Sequence, residues 1–254
     1  MLPRALLLST VVIWGWTFIA TKVLVAELGP VEIFALRLVI GLPFLGVILA
    51  VKRVPLSFAR ADVRPLLLGG AIFTLHFLVQ ITGIAIATAG VLLLVSRGSL
   101  RDLGWLRSVG DWMVLASAHT WAFYTIATRD LVRRRDPLAV TFGILLIAAA
   151  FTAVLFAVSG DLASVRGLSP RGVVALLYLA IPGLALGQWF WQEGVAGLGA
   201  ARAGLYLYLE PLATLTLAVP LLHEPFGPFV VLGGGLVLAG VYVGQREPHP
   251  DGPH

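Results

Sequence analysis

Residues 14–30 read WGWTFIATKVLVAELGP, and residues 121–137 read WAFYTIATRDLVRRRDP. Shifted by 107 positions, Trp14, Ile19, Ala20, Thr21, Leu24, Val25 and Pro30 recur as Trp121, Ile126, Ala127, Thr128, Leu131, Val132 and Pro137. The copies part company in their charge. The first ends with Lys22 and Glu27, the second with Arg129, Arg133, Arg134 and Arg135 against Asp130 and Asp136. Basic ends of apolar helices are retained on the cytoplasmic face. The two copies are therefore expected to cross a bilayer in opposite directions, as halves of an inverted repeat.

Composition sets the surroundings of that repeat. Of 254 residues 59% are hydrophobic and 12% charged, with a mean hydropathy of +0.95. A water-soluble domain carries about 25% charged residues, so this chain cannot cover itself with a polar surface. The apolar runs do not alternate with polar residues as β-barrel strands do. Helices satisfy their own backbone hydrogen bonds in hydrocarbon, and an all-α polytopic bundle is expected. The net charge of +5 lies in loops and points to topology, not to nucleic acid. No cysteine is present, which excludes disulfides, thiol chemistry and most soft-metal sites. The long apolar run after Arg4 shows no small-residue cleavage motif and reads as a retained first helix.

A span needs about 20 mainly apolar residues. Eight are expected: Ala5–Leu28, Val31–Val51, about Pro65 to Ala87, Asp111–Thr128, Leu138–Val158, Gly172–Gly194, Gly204–Leu222 and Pro228–Gly244. With the N-terminus inside, eleven basic residues fall on the cytoplasmic side (Arg4, Lys52, Arg53, Arg60, Arg64, Arg129, Arg133, Arg134, Arg135, Arg202 and Arg246) and five outside. That imbalance predicts both termini in the cytoplasm.

Polar residues within spans are the candidates for function, because they are costly there. Glu210, followed by Pro211, sits where a kink frees a backbone carbonyl. It reads either as a proton- or substrate-linked carboxylate or as a structural acid tied to a neighbouring helix. Arg37 reads either as an interface anchor or as a contact for an anionic group such as a carboxylate. Lys22 is expected to snorkel outward, and Glu193 to lie at the boundary. Trp14, Trp16, Trp121 and Tyr124 lie in the two copies of the repeated helix. His76 and Gln80, Gln188 and Gln192, and Tyr206 and Glu210 are pairs four residues apart, which places each pair on one helix face. They read either as a polar stripe on a wet central cavity or as helix–helix hydrogen bonds. No metal, cofactor or enzyme constellation is expected. The five histidines lack ligand-like spacing, and Gly233-Gly234-Gly235 lies in an apolar run, where it reads as a packing surface.

Several passages resemble the EamA-type transporters of the drug/metabolite transporter superfamily: WGWTFIATK (14–22), FALRLVIGLPFL (34–45), GDWMVLASAHTWAFYTIATR (110–129), GLGAARAGLYLYLEPLATLTLAVPLLHEP (197–225) and GGGLVLAGVYV (233–243). The resemblance implies ten helices in two inverted five-helix repeats, here residues 1–109 and 110–245, followed by a polar tail, 246–254. It also implies an inner-membrane carrier of small metabolites such as amino acids, often exported. One departure stands out. From Gly204 to Gly240 the second half spends 36 residues, whereas in the first half Ala89-Gly90-Val91 runs straight into LLLVSRG. By analogy the first repeat lacks two helices, which leaves eight, with the third lengthened by Gly90–Val95.

The expected partners are a small metabolite and the lipid bilayer. A homodimer is one way to cover the flank that the missing helices expose. The expected mechanism is alternating access between the two halves. The alternative is a truncated membrane protein that no longer transports, or an assembly partner.

Overall fold

The computed structural model describes residues 1–96 and 109–222, together with Gly235 and Leu238. The described residues are helical, with no strand among them: α1 (Leu2–Leu24), α2 (Pro30–Lys52), α3 (Arg60–Ser96), α4 (Val109–Arg134), α5 (Pro137–Ser159), α6 (Leu162–Arg166), α7 (Pro170–Leu198), α8 (Ala200–Leu207) and α9 (Glu210–Leu222). Five stretches are long and apolar enough to cross a membrane: α1, α2, Arg60–Thr82 of α3, α5 and α7. The expected eighth span, Pro228–Gly244, falls outside the described residues except for Gly235 and Leu238. The polar tail does so entirely. The third helix runs unbroken to Ser96, through the short Gly90–Val95 remnant.

Proline marks where these helices start. Pro30, Pro137 and Pro170 each stand in a first turn, where a missing N–H costs nothing. Asp136 and Ser169 precede two of them and accept hydrogen bonds from first-turn amides, as N-caps do. Within the spans, buried threonines solve their polarity locally. Thr10, Thr74, Thr125, Thr128, Thr141 and Thr152 each donate to the carbonyl four residues earlier, at 2.7 to 3.0 Å. Large apolar side chains such as Val39, Val47, Val154 and Val158 are uncovered by protein, as a lipid-facing band requires.

The helices pair across the repeat. With α1 and α2 matching α4 and α5, and α3 matching α7, the packing is reciprocal. α1 lies on α7 while α4 lies on α3, α2 lies on α7 while α5 lies on α3, and α2 and α5 lie on each other. A two-fold axis between the halves demands this exchange. The repeated positions also share their burial: Trp14 and Trp121, Thr21 and Thr128, and Leu24 and Leu131 are all buried. Trp14 and Trp121 meet edge to face, with ring centroids 5.0 Å apart. A residue that touches its own copy lies at such an axis.

Polar ties close the bundle at its two ends. At the basic end, the Asp62 carboxylate accepts from the Ala59 amide at 2.9 Å and from Arg135 Nε at 2.8 Å. At the opposite end, Glu27 accepts from the Ser169 amide at 2.8 Å and from its hydroxyl at 2.7 Å, and Glu32 accepts from the Asp161 amide. Glu27 follows α1 where Arg134 ends α4, one repeat on. Both ties therefore join the end of a repeated helix to the start of the long helix it packs against.

The Glu27 tie has a pH signature. Hydrogen bonds from the Ser169 amide and hydroxyl stabilise its ionised form and hold its pKa below the ordinary glutamate value of 4.5. A depressed carboxylate pKa contributes stability above the unfolded value that is lost as pH falls through the folded one. The Ser169 amide is therefore expected to stay protected from hydrogen exchange at neutral pH and to lose that protection only below 4.5. Glu27→Gln is expected to flatten the dependence. An unchanged profile in that variant would count against this reading.

Candidate functional site

A cavity of about 980 Å³ lies where α1, α2, α3, α4, α7, α8 and α9 converge. Trp14 and Trp121 form its inner wall, backed by Trp191 at 5.5 and 5.6 Å. Such aromatic clusters give a rigid, flat, apolar surface.

The placement of Trp14 follows from a local irregularity in α7. Leu179–Leu186 winds as a π-helix around Pro182, which has no N–H to donate to the preceding turn. Within that wider stretch the Gly183 carbonyl accepts from Trp14 Nε1 at 3.0 Å. Gly187 lets the indole approach, since a Cβ there would collide with Trp14 Nε1. Tyr178, just before the irregular stretch, donates its hydroxyl to the Ile13 carbonyl at 2.9 Å. The α1–α7 contact is thus fixed on both sides of the π stretch.

Seven of the ten candidate residues line the cavity: Trp14, Arg37, His76, Gln80, Trp121, Gln188 and Glu210. Arg37 does not lie at an interface. The residue is only 3% exposed, and its guanidinium sits 4.5 Å above the Phe77 ring. His76 Nδ1 lies 2.9 Å from the Ser117 carbonyl, which can only accept, so Nδ1 carries a proton and donates it there. Lys22, expected to snorkel outward, is exposed and contributes to the cavity wall.

The other three candidates lie outside the cavity wall. Gln192 Nε2 donates to the Tyr124 hydroxyl at 2.6 Å, and both side chains are buried. This bond ties α7 to α4. Tyr206 is buried and separated from Glu210 by a break in the helix. α8 ends at Leu207 and α9 begins at Glu210, so a spacing of four no longer means a shared face. Pro211 accounts for the break, because it cannot donate to Leu207. Glu210 consequently stands in the first turn of α9, where the helix dipole favours a negative charge. Glu193 accepts from Trp189 Nε1 at 2.9 Å and does not line the cavity.

Several buried polar atoms have no partner among the described residues: Arg37 Nε, Trp121 Nε1, both amide atoms of Gln188, Trp191 Nε1 and Gln192 Oε1. Leaving a buried donor or acceptor unmet costs about 1–3 kcal/mol each. Arg37, Trp121 and Gln188 face this cost on the cavity wall itself. A wall that presents unmet hydrogen-bonding groups beside a flat apolar surface is suited to a small polar solute. Thr17, Phe77, Ser117, Tyr208 and Thr214 also line it and were not among the candidates. Helical spacing gives a partial signal for two of them, because Ser117 is one turn before Trp121 and Thr214 one turn after Glu210.

Comparison with known proteins agrees with this architecture. The EamA-like transporter family matches residues 3–97 and again 108–244, the first match being the shorter. An uncharacterized transporter of Archaeoglobus fulgidus is 26% identical over 282 aligned positions, covering 96% of this chain and 97% of that protein. A protein of Streptantibioticus cattleyicolor named "Probable terminal-alkyne amino-acid exporter" is 31% identical over 66% of this chain and 54% of its own length. A "Probable amino-acid metabolite efflux pump" of Salmonella typhimurium is 27% identical over 65% of this chain and 56% of its own. No solved structure matches. With both halves matched, the chain belongs to the EamA-like transporter family of the drug/metabolite transporter superfamily.

Proposed function

We propose that this chain is a secondary exporter of small metabolites such as amino acids. It would sit in an inner membrane with both termini cytoplasmic and work by alternating access between halves that divide near residue 110. The observation that carries this reading is the cavity at the junction of the halves, where the two repeated tryptophans meet and Arg37 and Gln188 lack partners. Binding sites of inverted-repeat carriers lie at such junctions. Trp14, Arg37, His76, Gln80, Trp121, Gln188 and Glu210 would contact the solute. Tyr124, Gln192 and Tyr206 would hold the wall in place behind them. Two relatives named for amino-acid or amino-acid-metabolite export support the solute class.

The shorter first match favours a second reading, in which the chain keeps the helix pairs but does not transport, or needs another copy of itself to complete its first half. Solute flux into proteoliposomes, run over a panel of labelled amino acids and nucleosides, separates the two. Saturable flux of an amino acid supports the carrier. Folded, reconstituted protein that moves none of the panel supports the second reading.

A further inference from the structure

We infer that the Arg37 end of the cavity is a binding site for a flat apolar monocarboxylate, and that recognition there does not require an ammonium group on the solute. The inference rests on the cavity being the transport site, and it narrows the solute class.

The fully buried side-chain atoms without partners on this wall are mostly donors. Arg37 Nε–H, Trp121 Nε1–H and the Gln188 amide N–H are unmet, against one acceptor of that kind, Gln188 Oε1. The guanidinium is charged at any physiological pH, and it forms no ion pair among the described residues. A buried charge needs a counter-charge with hydrogen bonds. A guanidinium fork matches the two oxygens of a carboxylate.

Placement brings these groups together. A Cβ built on Gly183 would lie 3.9 Å from an Arg37 Nη and 3.0 Å from Thr17 Cγ2, which sets the guanidinium against the π stretch of α7. Gln188 lies just beyond that stretch, and Trp121 packs against the Trp14 held by Gly183. Phe77 under the guanidinium and the two tryptophans supply faces for a planar apolar body. A single buried arginine among aromatic rings suits one negative charge, not two.

An ammonium partner is not provided at this end. Glu210 is the one carboxylate on the wall among the described residues. Its helix is seated against the Gly15 face of α1, where a Cβ on Gly15 would touch Ala213 and the Glu210 carbonyl. Arg37 and Thr17 both border Gly183, and Thr17 lies about 200° round α1 from Gly15 at 3.6 residues per turn.

Equilibrium binding of radiolabelled hydrocinnamate to the full chain in detergent tests this, with phenylalanine, phenethylamine and hydrocinnamyl alcohol as competitors. Hydrocinnamate is expected to bind at least as tightly as phenylalanine. The amine and the alcohol are expected to compete at least about tenfold more weakly, the worth of a charge-assisted hydrogen bond. Arg37→Gln is expected to weaken both carboxylates by about tenfold or more and leave the alcohol unchanged, with Arg37→Lys intermediate because it keeps the charge without the fork. The ligand series on the parent chain needs no variant to fold. An amine that competes as well as the acid, phenylalanine binding without hydrocinnamate binding, no binding at all, or unchanged affinity in folded Arg37→Gln would each overturn the inference. Selective hydrocinnamate binding with no flux in vesicles would support this site and count against the transport reading alone.

Discussion

Replacing Gly187 by Leu is expected to abolish solute flux while leaving the helix content of the protein intact. The substitution falls on α7 at the point where the Trp14 indole crosses it, and a Cβ alone already meets Trp14 Nε1 and, at 3.1 Å, its Cδ1. A whole leucine must displace the indole from the Gly183 carbonyl and from its edge-to-face contact with Trp121. Overpacking of this kind costs roughly 1–3 kcal/mol. The displaced ring has the cavity to move into, so the effect concentrates on binding. At the upper end that corresponds to about a hundredfold loss in affinity. Gly187→Ala is expected to show a smaller loss of the same kind. Circular dichroism beside initial flux rates checks the separation. A leucine variant with parental flux would show that the tryptophan wall does not form the solute path.

Glu210→Gln is expected to stop solute accumulation driven by an imposed pH gradient while exchange of labelled for unlabelled solute continues. Glu210 is half-buried on the cavity wall, at the start of α9, and none of the described residues pairs with its carboxylate. An acid with no structural partner on a cavity wall inside a bundle of membrane helices is a candidate for carrying a proton. Glutamine keeps the shape and removes the titration. Gradient-driven flux should fall by about tenfold or more, with exchange within about twofold of the parent. Equal loss of both would return Glu210 to the structural role that the sequence also allows. Unchanged gradient-driven flux would remove it from coupling altogether.

Much of the architecture was legible in the sequence because it depends on repeated chemistry. The copied WxxxxIAT stretch gave the reciprocal packing its first evidence, and the structure brings the leading tryptophans of the two copies into contact. The spans expected to begin at Val31, Leu138 and Gly172 start in the structure within a residue or two of those positions, at Pro30, Pro137 and Pro170. The run through Ala89-Gly90-Val91 likewise indicated a third helix continuing past its span, and it does so to Ser96.

The site was legible only in part, and the reason is local backbone geometry. Tyr206 and Glu210 share a face only if the helix between them is continuous, and Pro211 breaks it. Gln188 and Gln192 follow the π stretch on one helix, but one faces the cavity and the other meets Tyr124. No local pattern around Pro182 shows that the helix would widen there into a π-helix and orient Trp14. Arg37, seven residues into its helix, is about 10 Å from the helix start at 1.5 Å per residue. Its direction was decided by Phe77 on a helix distant in sequence, which no local pattern encodes.

The most direct test of alternating access uses the absence of cysteine from the chain. A single cysteine placed at Gln80, on the cavity wall, gives one reactive thiol on an otherwise silent background. The measurement is its reaction with a membrane-impermeant thiol reagent in right-side-out and in inverted vesicles, beside Ala148→Cys at a fully buried position. Reaction of the Gln80 cysteine from both faces, with the Ala148 cysteine reacting from neither, is the predicted result. Reaction from one face only, or from neither, in folded protein would contradict a cavity that opens alternately to the two sides.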